Sequence, residues 1–265
     1  GQSNMEFRLQ TAIRSNEVIA KANYPEIRLF LLKKACSFEP KDDCEGVWQV
    51  CTPETVPPFS AVAFFFGREL YEKTGVPVGL IGTYWGGSNA KVWTSREVLA
   101  TKFPHYAKEL ADYIAKQSEV ERKYKEELYP KYQQDLKEWK EKNEADFLAK
   151  YAAYAETAKA ARLAGQDPAE PPAMVRAPRA PEKPGPNMRI SANLFNAMIA
   201  PIIPFAVTGA IWYQGEANAG QPGEYEFLMN AMIADWRARF GQGDFPFYFV
   251  QLANFKKRDV NPPED

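Results

Sequence analysis

The stretch "VPVGLIGTYWGGSNAK", residues 76–91, decides how this chain reads. Its first half is rich in Val, Leu and Ile and short, which predicts a buried strand over 76–83. The next residues, "TYWGGSNAK" (83–91), are a polar loop built on Gly86 and Gly87. A helix is expected directly after it: "TSRE" is a capping-box pattern, with Thr94 as cap and Glu97 reaching back, and opens a helix over 94–101. Strand, glycine loop and helix in that order form one unit of a doubly wound α/β fold, in which ligands bind beyond the carboxyl ends of strands.

Working outward, the unit repeats. "IRLFLLKK" (27–34), "FAVTGAIWY" (205–213) and "FPFYFVQLA" (245–253) are apolar runs of strand length bounded by Gly, Pro or Asn, predicting strands buried on both faces. Helical patterns cover 59–74, 190–199 and 223–240. The prediction is a three-layer α/β/α domain with a parallel sheet, formed by 1–104 and 188–265. Residues 105–164 break this rhythm. They are highly charged, with apolar residues at helical spacing (Tyr132, Leu136, Trp139, then Phe147, Tyr151, Tyr154, Ala158). Pro130 divides the run, so the expectation is a hairpin of two long antiparallel helices. Residues 165–187 are proline-rich and read as an extended linker.

Composition excludes several function classes. With 45% hydrophobic and 14% aromatic residues, the chain can bury a core and is not of the disordered class. A net charge of −1 with both signs interspersed gives no footprint for nucleic acid. No apolar run approaches the roughly 18–20 residues needed to span a bilayer as a helix. Cys36, Cys44 and Cys51 have no nearby histidine and no zinc-site spacing. They admit one local disulfide with a free thiol, or three reduced thiols. No phosphate-binding or dinucleotide fingerprint is present, and nothing in the pattern signals an oligomeric state.

Three polar loops are candidates for chemistry: "GQSNM" (1–5), "TYWGGSNAK" (83–91) and "YQGEANAG" (213–220). The second and third each follow a predicted strand, and the first would follow a strand upstream. Taken singly, Ser3 reads as a helix cap, Gly86 and Gly87 as a turn, and Gln214, Glu216 and Asn218 as solvated loop polars. Together and in this order they predict loops converging on one crevice.

"GQSNMEF", "GLIGTYWGGSNAKVWTSREVL" and "IWYQGEANAG" resemble the sialate O-acetylesterase-type branch of the SGNH (GDSL-like) serine hydrolases, to which bacterial acetylxylan esterases are related. The resemblance runs through 1–100 and 188–255 and leaves out the helical insert. It implies a flavodoxin-like SGNH hydrolase fold, serine-dependent hydrolysis of acetyl esters on carbohydrates, no cofactor or metal, and an extracytoplasmic location. Ser3 matches the nucleophile. Gly87, or its neighbour Gly86, matches the block whose backbone N–H helps form an oxyanion hole, and Asn218, with Gln214 close behind, the carboxamide donor. Gln2 and Glu216 fall in the same motifs as loop or substrate residues.

One expected element is missing from the sequence. The family carries its base and orienting acid as D-x-x-H, and no such block occurs here. The single histidine, His105, reads as a surface or helix-start residue. The chain therefore reads as an internal segment, a poor esterase alone and part of an active enzyme when longer. The other readings are an acetylxylan esterase-like enzyme, a catalytically inactive glycan-binding protein, and an interaction protein acting through the insert.

Overall fold

A computed structural model describes residues 1–173 and 175–253; the closing stretch 254–265 lies outside the described residues. The chain divides into two compact units, Gly1–Tyr113 with Pro186–Asp265, and Ile114–Gly185.

The first unit is α/β. Strand β1 (Tyr24–Leu31) pairs in parallel with β3 (Val78–Gly82), and β4 (Ala210–Trp212) in parallel with β5 (Phe247–Phe249). Sequence had placed four strands in one parallel sheet, and the structure corrects this in two ways. The strands fall in two sheets, β2-β1-β3 and β4-β5, and the unpredicted β2 (Trp48–Cys51) runs antiparallel to β1. Nor are the strands buried on both faces. In β1 only Ile27 and Leu29 are buried, in alternation, and in β5 Tyr248 and Phe249 are exposed.

The amino terminus bridges the two sheets. The Gln2 amide donates to the Tyr213 carbonyl (3.1 Å), just past β4, and the Trp85 amide, just past β3, donates to the Gly1 carbonyl (3.1 Å). From there the chain enters α1 (Ser3–Glu6), followed by α2 (Ser15–Ala20).

Helix α3 (Ala61–Thr74) shows how local chemistry sets the packing. The Ser60 hydroxyl accepts from the Ala63 amide (3.1 Å), and Gly75, at φ +67°, ends the helix in the left-handed conformation. Its inward face carries Ala61, Phe64 and Gly67. A Cβ on Gly67 would meet the Leu80 side chain at 2.7 Å, so glycine here lets helix and strand approach closely. Phe64, Leu80, Ile27, Leu29 and Phe59 form one core cluster. A second gathers Trp93, Trp212, Trp236, Phe195 and Met198, with edge-on indole pairs at 6.3 and 6.0 Å.

Helix α4 (Arg96–Lys102) starts one residue later than its capping pattern suggests. Ser95, not Thr94, is the cap, accepting from the Val98 amide, while the Thr94 hydroxyl bonds back to the Ala90 carbonyl. Helix α5 (Pro104–Ala115) carries buried Tyr106 and Leu110, one turn apart, so residues 105–113 belong with the core and not with the insert.

In the second unit Pro130 does not divide two helices. Helices α6 (Gln117–Lys123), α7 (Tyr129–Trp139) and α8 (Ala145–Leu163) are joined without a break by π-helical turns at 124–128 and 140–144. The run is about 70 Å long at 1.5 Å per residue. A proline ring clashes with the carbonyl four residues earlier, here Glu126, and the π turn there widens the helix to accommodate it. Exposed i, i+4 pairs such as Arg122–Glu126 and Lys150–Asp146 line the run. The proline-rich segment is irregular as expected, but it is tied down: Trp139 Nε1 donates to the Val175 carbonyl and the Gly185 amide to Gln117 Oε1.

Helix α9 (Pro222–Phe240) returns the chain to the first unit and buries Leu228, Met232 and Trp236, the last two in the tryptophan cluster.

Candidate active site

The three loops meet, and they do so by bonding to one another. Gln2 Oε1 accepts from the amides of Gly215 (3.5 Å) and Ala217 (3.2 Å). Asn4 Nδ2 donates to Glu216 Oε1 (2.6 Å). These bonds join the Ser3 segment to the 213–220 loop. The 83–91 loop joins both. Glu6 Oε2 accepts from the Gly86 amide (2.6 Å), the Ala90 amide donates to Asn218 Oδ1 (3.0 Å), and Gln214 Nε2 donates to the Ser88 carbonyl (3.2 Å). Convergence beyond β3 and β4 is thus a property of the structure. The carboxyl end of β1 joins it too, through Lys34 on Glu6 Oε1 (2.5 Å).

Each predicted residue now has a position. Ser3 heads α1 and is exposed. Gly86 packs on it: a Cβ there would lie 3.6 Å from Ser3 Cα and Cβ. Gly87 has φ +78°, the left-handed conformation that glycine adopts without a steric cost. The Gly86 amide is committed to Glu6, whereas among the described residues the Gly87 amide has no acceptor.

Asn218 and Gln214 separate cleanly. Gln214 is buried, and both protons of its amide are spent, on the Ser88 carbonyl and on Asn218 Oδ1 (2.7 Å). Asn218 is held through its oxygen alone, by the Ala90 amide and Gln214. Among the described residues its Nδ2 donates to no protein group. Two donors gripping the oxygen fix the amide plane and leave the NH₂ as a preoriented donor. Tyr225 supports the loop from behind. Burial raises its pKa, so its hydroxyl stays protonated and donates to the Gln214 carbonyl (3.0 Å).

His105 is elsewhere in the bonding pattern. It sits exposed in the first turn of α5 with Nε2 3.1 Å from Glu224 Oε2, and Glu224 also takes the Tyr106 hydroxyl. Among the described residues no cluster of histidine, cysteine and carboxylate groups is arranged to hold a metal, and all three cysteines are unpaired thiols.

Residues 187–263 match the family described as carbohydrate esterase, sialic acid-specific acetylesterase. The chain resembles the sialate O-acetylesterases. It is 29% identical to that of Rattus norvegicus across 96% of its own length and 42% of the relative, and 25% identical to that of Homo sapiens across 96% and 38%. A carbohydrate acetylesterase from Xanthomonas citri of known crystal structure superposes with a TM-score of 0.62 at 28% identity, over 96% of this chain and 40% of that one. The chain therefore spans about two fifths of the sialate O-acetylesterases it matches. Among the described residues no helix is long and apolar enough to cross a membrane.

Sequence reasoning missed Glu6, Asn4 and Lys34. The first two lie inside the "GQSNMEF" motif, and the i, i+3 spacing of Glu6 from Ser3 was the available signal. Lys34 closes a strand in sequence and carries none.

Proposed function

We propose that this chain carries the nucleophile and the oxyanion-binding donors of a serine-dependent carbohydrate O-acetyl esterase, with acetylated glycans as substrates and the three-layer α/β/α organisation of SGNH hydrolases. The observation that carries this reading is the state of Asn218: a buried carboxamide pinned by its oxygen, its NH₂ uncommitted among the described residues, on a loop bonded to the residues flanking Ser3. Ser3 Oγ attacks the acetyl carbonyl, and the oxygen takes up negative charge. The amides of Gly87 and Ser3 and the Asn218 NH₂ are the donors that receive it. Collapse expels the sugar hydroxyl and leaves acetyl on Ser3; water then releases acetate and restores the serine. No metal or cofactor has a step in this scheme. The proton from Ser3 passes to a general base and from it to the departing sugar oxygen; the chain's one histidine, on α5, is paired with Glu224 and is not assigned that role. An extracytoplasmic setting, where acetylated glycans are met, suits this role.

The test is hydrolysis of an aryl acetate and of acetylated sugars by a protein spanning the full length of the relatives. Ser3→Ala should abolish turnover while leaving the melting temperature in place. Unchanged turnover in that variant refutes the nucleophile. Binding of acetylated glycan without any release of acetate, in the unmutated protein, establishes the inactive glycan-binding reading instead.

A further inference from the structure

We infer that Glu6 is a positioning residue for this reaction: it clamps the Gly86–Gly87 turn onto the helix that bears Ser3 and so aims the Gly87 amide. The inference rests on the esterase reading above and adds a residue to it.

Glu6 lies three residues after Ser3 on α1, on the same face of the turn. Its carboxylate is only 22% exposed, and its two oxygens have separate tasks. Oε2 accepts from the Gly86 amide at 2.6 Å, across 80 residues of sequence, and Oε1 receives the Lys34 ammonium at 2.5 Å. A charge-assisted bond of that length, in a partly dry site, is among the stronger contacts a side chain makes with backbone.

The turn needs such a clamp. It runs from Trp85 to Ser88 and is closed by the Ser88 amide (3.2 Å) and hydroxyl (2.7 Å) on the Trp85 carbonyl. Its two central residues are both glycine, with the positive φ that a type II turn places at the second of them. A Gly–Gly peptide has little preference of its own, so its N–H would sample more than one direction. Pinning the adjacent Gly86 amide removes that freedom. Because the clamp originates on α1, nucleophile and donor are fixed to one another and not merely to the domain.

Lys34 completes the arrangement. An unpaired carboxylate next to a developing oxyanion would oppose it; the ammonium offsets that charge. Lys34 is held in turn over the Trp85 ring, its Nζ 5.2 Å from the centroid. The carboxyl end of β1 thereby braces the turn that follows β3.

The experiment uses the full-length protein, an aryl acetate, and the series Ser3→Ala, Glu6→Ala, Glu6→Gln and Glu6→Asp, with kcat, KM and melting temperature measured for each. Glu6→Ala should lower kcat by about 10²-fold, the scale of a 1 Å misplacement, with KM little changed. Glu6→Gln keeps an acceptor at the right reach and should recover most of kcat. Glu6→Asp keeps the charge but is one methylene short, and should resemble Glu6→Ala. That order, Gln above Asp, is the signature of a hydrogen-bond clamp, and it can be read from Gln and Asp alone if the alanine variant fails to fold. An order with Asp equal to or above Gln overturns the inference. So does a Glu6→Ala variant that loses stability but turns over normally per folded molecule. If Ser3→Ala itself remains active, the esterase reading falls and the inference with it; if Ser3→Ala is dead and Glu6→Ala is normal, only the clamp falls.

Discussion

Asn218 and Gln214 make a pair whose roles can be separated by a double-mutant cycle. On the proposed esterase reading, removing the Asn218 side chain should delete one oxyanion donor, a loss of roughly 10²–10³ in kcat, equivalent to about 2.7–4 kcal/mol of barrier. It also strands the Ala90 amide and one proton of Gln214, both buried and both bonded only to Asn218 Oδ1 at that point. A buried donor left without a partner costs about 1–3 kcal/mol, so Asn218→Ala should also lower stability by roughly 2–6 kcal/mol. Gln214 touches no substrate in this arrangement. It holds Asn218 by a 2.7 Å bond, and its own Oε1 is buried without a partner among the described residues. Gln214→Ala should therefore loosen Asn218 and lower kcat by about tenfold, well short of the donor deletion. Because that effect passes through Asn218, adding Gln214→Ala to Asn218→Ala should change kcat no further, a strongly non-additive cycle. The assay is aryl acetate turnover by the full-length protein, corrected for folded fraction, alongside urea unfolding of each variant. Additive losses in the cycle would refute the reasoning, because they would make Gln214 an independent donor. Equal kcat in Asn218→Ala and the parent would remove Asn218 from the oxyanion site.

Two further outcomes follow from the same structure. Replacing 114–185 with a short Gly/Ser link should preserve cooperative unfolding of the first unit, because its cut ends are already adjacent: Asn187 Nδ2 lies 2.8 Å from the Tyr113 hydroxyl. Replacing 105–187 should cost several kcal/mol or prevent folding, since it deletes buried Tyr106 and Leu110 and the Glu109 carboxylate that partners Lys91 and Ser191; identical melts for the two deletions would count against that boundary. Burial pushes the Cys36 and Cys51 thiols up to about 11, from an ordinary value of 9.0; Cys51 is closed off from solvent, so it is the partly buried Cys36 whose alkylation in the native protein should keep accelerating up to that pH. The folded state keeps these protons longer than the unfolded chain does, so their contribution to stability is complete below about pH 9 and lost as pH rises toward 11; a rate that levels off near pH 9 would show the thiols are not desolvated.

Much of the fold was legible because strong local signals coincided. The run from Val76 to Lys91 gave its strand, its glycine turn and the helix beyond, since apolar pattern and turn chemistry changed together at Gly82. Strand β2 was not legible. "WQVC" is four residues long, three of them exposed, and its pairing with β1 is supported by Trp48 packing on Phe30 (5.2 Å) and Phe205 (5.9 Å), a contact between distant segments. Pro130 misled for a different reason. The rule that proline ends a helix concerns a lost bond and a clash with the carbonyl four residues back, and a π turn at that site absorbs both. The insert boundary slipped because surface charge changes at 105, whereas Tyr106 and Leu110 continue the core for two more turns.

For the site, the sequence named three loops that the structure brings together, but it assigned their polar residues by type, and type cannot say which way a hydrogen bond points. Gln2, Asn4, Glu6, Gln214 and Glu216 all carry groups able to meet a substrate, and in the structure each commits at least one of them to another loop. Subtracting those committed groups is what narrows the candidates. Among the described residues, the exposed Ser3 hydroxyl, the Gly87 amide and the Asn218 NH₂ are uncommitted donors, drawn from three loops that other side chains hold together. Preorganisation requires this division, because a donor is useful to a developing oxyanion only if its neighbours have already fixed its direction. The loop-to-loop bonds are long-range, Glu6 to Gly86 across 80 residues and Asn218 to Ala90 across 128, and no local pattern encodes a partner at that distance. The same bonds imply that substitutions in the supporting set should lower kcat less than loss of the Asn218 donor does, whereas on the esterase reading Ser3→Ala should abolish turnover.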